Sequence, residues 1–184
     1  MKKTLLIGLL ALTALPATAQ VSEFGLLLGG SKRLVSHRDE EKGFGVSDNF
    51  KFSNSVKEIY YSVILDDSSR FKIKVGQITA PGAFRADNAR VDVAKATVDH
   101  ADALVDYRFS EPFGSTGLFA GVGLYRQSAS GQQEETNYGF SAGVNGDFPL
   151  SRRYGVIVEG TYHWVNYHYR PRYLTLTGGL RISF

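Results

Sequence analysis

Apolar and polar side chains take turns along most of this sequence, and a period of two is what a β-strand with two unlike faces requires. The last stretch is the clearest. Leu174, Leu176, Gly178, Leu180, Ile182 and Phe184 fall on one face, and Tyr173, Thr175, Thr177, Gly179, Arg181 and Ser183 fall on the other. Before it, Tyr154, Val156, Val158, Gly160, Tyr162 and Trp164 alternate with Gly155, Ile157, Glu159, Thr161, His163 and Val165. Residues 137–148 repeat the division, with Tyr138, Phe140, Val144 and Phe148 opposite Asn137, Ser141, Asn145 and Asp147. The pattern continues upstream over residues 118–125, 101–110, 70–75, 58–65 and 23–31. Eight strands with almost no helical periodicity predict an all-β chain.

The connections alternate in length. Residues 32–55 are long and polar, 66–69 short, 78–98 long, 111–115 a turn, 127–135 longer, 149–152 tight and 166–172 longer again. Long loops at one end and tight turns at the other are the asymmetry of an eight-stranded antiparallel up-and-down transmembrane β-barrel, and an even strand count puts both chain ends on the periplasmic side. A soluble barrel, such as a periplasmic lipocalin-like carrier, predicts the same alternation with its apolar face turned inward. Three features favour lipid on the outside. The apolar faces carry almost no charge, they approach the roughly 9–11 residues of a membrane strand, and aromatics gather at their ends. Tyr107, Phe109, Phe148, Tyr154 and Phe184 lie toward the turns, and Tyr138, Tyr162 and Trp164 toward the loops, as two interfacial girdles.

Residues 1–19 run from Lys2 and Lys3 through an apolar stretch to Ala17-Thr18-Ala19, the pattern of a cleaved secretory signal, which leaves 20–184 as a single barrel domain. Removing that leader takes away two lysines and no acid, so a formal charge of +3 becomes +1 and the basic balance is no argument for nucleic acid. Beyond the leader, no run approaches the roughly 18 apolar residues of a membrane-spanning helix. The absence of cysteine excludes disulfide staples and Cys-ligated metal or Fe–S centres.

An eight-stranded barrel is just wide enough for side chains to fill. Glu58, Lys72, Lys74, Asp102, Asp106, Arg108, Glu159 and Arg181 all fall on the inward face, and buried charges of both signs are expected to pair across the lumen. Such a plug is a more economical reading than a selective channel or proton path. His163 lies four residues after Glu159, and His100 two before Asp102. Residues four apart on a strand share a face but are well separated, so these histidines are expected to be satisfied lumen residues rather than catalytic groups or metal ligands. No cofactor is expected. The mixed-charge stretch 32–42 reads as a solvated loop, with Lys32, Arg33, Arg38, Arg170 and Arg172 able to attract an anionic surface.

The C-terminal Gly179-Leu180-Arg181-Ile182-Ser183-Phe184, with apolar residues at alternate positions ahead of a final aromatic, resembles the assembly signal that bacterial outer-membrane barrels present to their insertion machinery, carried by Gly179, Leu180, Ile182 and Phe184. With the leader and eight strands, the chain resembles the small outer-membrane β-barrel family of the OmpA-membrane-domain and OmpX kind. The resemblance implies a protein exported to the bacterial outer membrane, in contact with its lipid and lipopolysaccharide and with the barrel-assembly machinery. It implies a structural or adhesion-like role, with any surface ligand met through loops 32–55, 78–98, 127–135 and 166–172. A narrow pore is one alternative. Some barrels of this size modify lipid A, and that enzyme class is another, although no His-x-Ser arrangement occurs and the strand histidines face inward; His37 and Ser36 lie in a loop.

Overall fold

In a computed structural model the chain forms eight strands: β1 (Ser22–Leu34), β2 (Asn54–Ile64), β3 (Ser69–Ala86), β4 (Ala89–Glu111), β5 (Gly114–Ser128), β6 (Glu135–Pro149), β7 (Tyr154–Val165) and β8 (Arg172–Ser183). Each pairs antiparallel with its neighbours in chain order, and β1 pairs with β8 from Glu23↔Ser183 to Leu34↔Arg172, closing the sheet into a barrel. The structure describes residues 22–34, 52, 54–86, 89–111 and 114–184. The leader expected over 1–19, Ser36, His37 and Arg38 of the expected loop 32–55, and Pro112 and Phe113 of the expected turn 111–115 lie outside the described residues.

Outside the upper halves of β3 and β4, and with Val63 buried against the pattern, the two strand faces sort as the alternation predicts, and they sort inside out. Lys72 and Glu159 are 0% exposed, whereas Val122 is 64% and Leu180 63% exposed. A water-soluble carrier would bury its leucines and wet its lysines, so the lipocalin-like alternative fails on the sign of this difference. An apolar exterior around a polar interior needs hydrocarbon outside. The chain is a closed, up-and-down transmembrane β-barrel.

Tight turns over 65–68 and 150–153 mark one end. In the first, the Asp66 carboxylate accepts from the backbone N–H groups of Ser68 and Ser69 at 2.8 and 2.7 Å, which holds its pKa below the usual carboxylate value. Around this end stand Tyr61, Tyr107, Phe109, Phe148, Tyr154 and Phe184; Tyr107 meets Phe109 edge-on with ring centroids 5.2 Å apart, and Tyr61 lies 6.5 Å from Phe184. On the outward face toward the other end, Arg126 donates to Asp99 at 2.7 Å and Gln77 donates to the same carboxylate at 3.0 Å, so polar groups take over where the apolar run stops.

One expectation is corrected. Residues 78–98 are not a loop: β3 and β4 run on as a hairpin to Ala86 and Ala89, with a register shift between Ala80 and Gly82. Pro81 sits at that shift, the position where a strand tolerates a residue without an N–H. A bulge bends its strand, and this one turns the hairpin across the barrel mouth. The Ser31 hydroxyl of β1 donates to the Thr79 carbonyl at 2.6 Å and the Gln127 amide of β5 to the Ala83 carbonyl at 3.3 Å. Above them Arg33 lies 3.9 Å from Asp92, and Arg90 rests over the Tyr169 ring at 5.3 Å.

Candidate functional site

The candidate site is the lumen itself, which is stacked in layers. At the turn end, Glu23 of β1 accepts from Arg70 of β3 at 3.0 Å and from the Ser62 hydroxyl of β2 at 3.3 Å. Asp147 of β6 accepts from Arg181 of β8 at 2.7 and 2.8 Å and from Arg108 of β4, whose Nε also reaches Asp106 at 3.2 Å. The single Nε–H of Arg181 is thus shared between both Asp147 oxygens, a charge-assisted contact that ties β8 to β6.

The middle layer centres on Glu159 of β7. Lys72 donates to one of its oxygens at 2.7 Å and Lys74 donates to the other, from two inward positions of β3. Lys72 also lies 3.3 Å from Asp106, and Lys74 3.5 Å from Glu58. Phe119 lies beneath both ammonium groups, 5.1 and 4.9 Å from its ring centre, and Tyr60 lies 4.8 Å from Lys72. Buried ions on different strands thus meet partners across the lumen, the condition under which their desolvation is offset.

Above this lies a histidine layer. The Nδ1 of His100 is 2.7 Å from Asp102 Oδ2, and its Nε2 is 3.3 Å from Glu58 Oε1. The Tyr125 hydroxyl donates to Asp102 Oδ1 at 2.7 Å, which leaves its oxygen to accept from His163 Nδ1 at 3.0 Å. The two imidazoles meet edge-on, centroids 5.3 Å apart, with Tyr125 stacked on His100 at 5.7 Å. Val56, Ile78, Ala80, Val98, Val165, Tyr167 and Tyr173 form a buried apolar cluster that Tyr125 joins. Glycines make the room below. A Cβ at Gly76 would lie 2.7 Å from His100 Nε2 and 2.6 Å from Glu58 Cγ, and one at Gly123 would strike the Asp102 carboxylate.

The structure brings Glu58, Lys72, Lys74, Asp102, Asp106, Arg108, Glu159 and Arg181 into one buried array. Glu23, Arg70, Asp147 and Tyr125 belong to it as well, and sequence reasoning left them out of the network; the same period of two had already put them on the inward face. His100 and Asp102, two apart on β4, are in direct contact, whereas His163 turns to Tyr125 and Thr175. Leu180 and Ile182 of β8 and Phe184 just after it are exposed on the outer side, and Gly179 faces inward where a Cβ would meet the Leu26 carbonyl.

Closure, strand number and inverted polarity define a small transmembrane β-barrel. No family model matches the chain, and no curated protein matches its sequence. Solved structures do match. Neisserial surface protein A aligns at 15% identity over 92% of this chain and 100% of its own, with a TM-score of 0.63. The N-terminal β-barrel domain of Pseudomonas aeruginosa OprF aligns at 11% identity over 90% and 98%, with a TM-score of 0.57. Ail, the attachment invasion locus protein of Yersinia pestis, aligns at 14% identity over 91% and 100%, with a TM-score of 0.52. At such identities the likeness is one of fold.

Proposed function

We propose that residues 20–184, after removal of a leader over 1–19, form a non-enzymatic barrel of the bacterial outer membrane with a structural or adhesion-like role. The buried ion-pair network carries this reading: it links β1, β3, β4, β6, β7 and β8 through the lumen, so the loop end is the part left to meet a partner. The lumen charges serve to fill and stiffen the barrel, and the outward-facing Leu180, Ile182 and Phe184 serve its delivery to the assembly machinery. Lipid and lipopolysaccharide surround the apolar belt. Loops 32–55, 127–135 and 166–172, with the hairpin tip replacing the loop expected over 78–98, meet the surface ligand. Neisserial surface protein A and Ail carry surface and attachment in their names, and Ail has been solved with the heparin analogue sucrose octasulfate. An anionic glycan is accordingly the first probe, offered to Arg170 and Arg172 and their neighbours.

Three measurements test the reading. Planar bilayers holding the purified barrel are expected to stay silent, and binding of a sulfated glycan is expected to fall when residues 166–172 are replaced by a short glycine-serine turn. A stable ion current would favour a pore, and a changed lipid A mass spectrum on expression would favour an enzyme.

A further inference from the structure

We infer that the histidine layer is a binding site for a divalent transition-metal ion of the zinc type, formed by His100, Asp102 and His163 with Glu58 beside them. All three ligand-type residues are buried, and one ligand atom from each lies within 4.8 Å of the others. Metal–ligand bonds of about 2.0–2.2 Å need these donors drawn together by under about an ångström, which rotation of two imidazoles and a carboxylate supplies. Two imidazoles with a carboxylate suit zinc or cobalt rather than calcium or magnesium, which prefer oxygen ligands.

Two further observations call for a cation at this spot. Among the described residues, the lumen below the apolar cluster holds six carboxylates, Glu23, Glu58, Asp102, Asp106, Asp147 and Glu159, against five Lys and Arg cations, Arg70, Lys72, Lys74, Arg108 and Arg181. The surplus falls at the histidine layer. Lys72 and Lys74 are both drawn to Glu159, and the Arg groups to Glu23, Asp106 and Asp147. Glu58, 1% exposed, accepts no hydrogen bond at either oxygen; the Lys74 ammonium, shared with Glu159, stands 3.5 Å away and His100 Nε2 3.3 Å away. A buried carboxylate left in that condition is costly. A proton on His100 would balance the charge and leave His163 to Tyr125 and Thr175, whereas a metal ion draws both rings into one site. Gly76 and Gly123 keep the space beside His100 and Asp102 clear of side chains. Tyr125 joins the histidine layer to the buried apolar cluster of Val56, Ile78, Val98 and Tyr173.

The test is to refold the full chain in detergent with Co²⁺, dialyse, and read both the metal content and the visible spectrum. About one ion per barrel, with the intense d–d bands of low-coordinate cobalt, is expected. His163→Gln and Asp102→Asn are expected to lower retained cobalt at least tenfold, whereas His168→Ala, in the exposed last loop, leaves it unchanged. Closure of each variant is read from its gel mobility before and after boiling. A closed wild-type barrel that retains no cobalt overturns the site and leaves a protonated His100 as the balancing charge. Retention unchanged in the closed His163→Gln barrel overturns it equally, as adventitious surface binding. Should the variants fail to close, wild-type stoichiometry and spectrum decide alone.

Discussion

One carboxylate, Glu159, holds two lysines, and the consequences of losing it are local and large. Glu159→Gln keeps the shape but leaves Lys72 with Asp106 and Lys74 with a more distant Glu58. Breaking a buried pair from one side costs about 3–5 kcal/mol, so urea unfolding of the variant in detergent or lipid is expected to show a loss of that order. At this scale the sequence was informative about direction and silent about distance. Position parity alone put Lys72, Lys74 and Glu159 in the lumen, because a strand has no third face. Parity could not say that residues some 87 apart in sequence would meet, since that depends on strand stagger around the barrel. The Tyr125 bridge between Asp102 and His163 was hidden for the same reason: its three members lie on β4, β5 and β7.

Strands, turns and the hairpin each carry their own test. Val122 lies in the outward apolar run of β5, between Leu118 and Arg126. Val122→Arg is expected to destabilise the barrel in bilayers by about 2–4 kcal/mol, the cost of a guanidinium near the midplane, measured by reversible unfolding from lipid vesicles. Among the turns, Asp66 has a folded-state pKa below its ordinary 3.8, so the stability it contributes is fully present above that value and disappears as pH falls through the lower, folded one. Comparing wild type with Asp66→Asn across pH is therefore expected to show a stability gap near neutrality that closes in strong acid. For β8, Phe184→Ala is expected to reduce insertion into the outer membrane; fractionation showing undiminished levels would refute the assembly role. Strand identity was legible wherever one face was purely apolar. The upper halves of β3 and β4 were not, because above the membrane belt neither face has to be greasy and Pro81-Gly82 imitates a loop.

At the scale of the whole molecule, the class of fold was readable from polarity and connection length, since no soluble architecture tolerates leucines outside and lysines within. The mouth was not readable: the tilt of the β3–β4 hairpin depends on one bulge and on contacts to β1 and β5. The layered lumen also dictates how such a chain must come into being. Lys72 and Lys74 belong to the third strand and Glu159 to the seventh, while Glu23 of the first waits for Arg70 of the third and Asp147 of the sixth for Arg181 of the last. A half-assembled sheet would turn naked ammonium and carboxylate groups toward hydrocarbon, so no stable fragment can precede the final closure. Formation is expected to be all-or-none, with truncation after β6 abolishing the fold instead of yielding a smaller one.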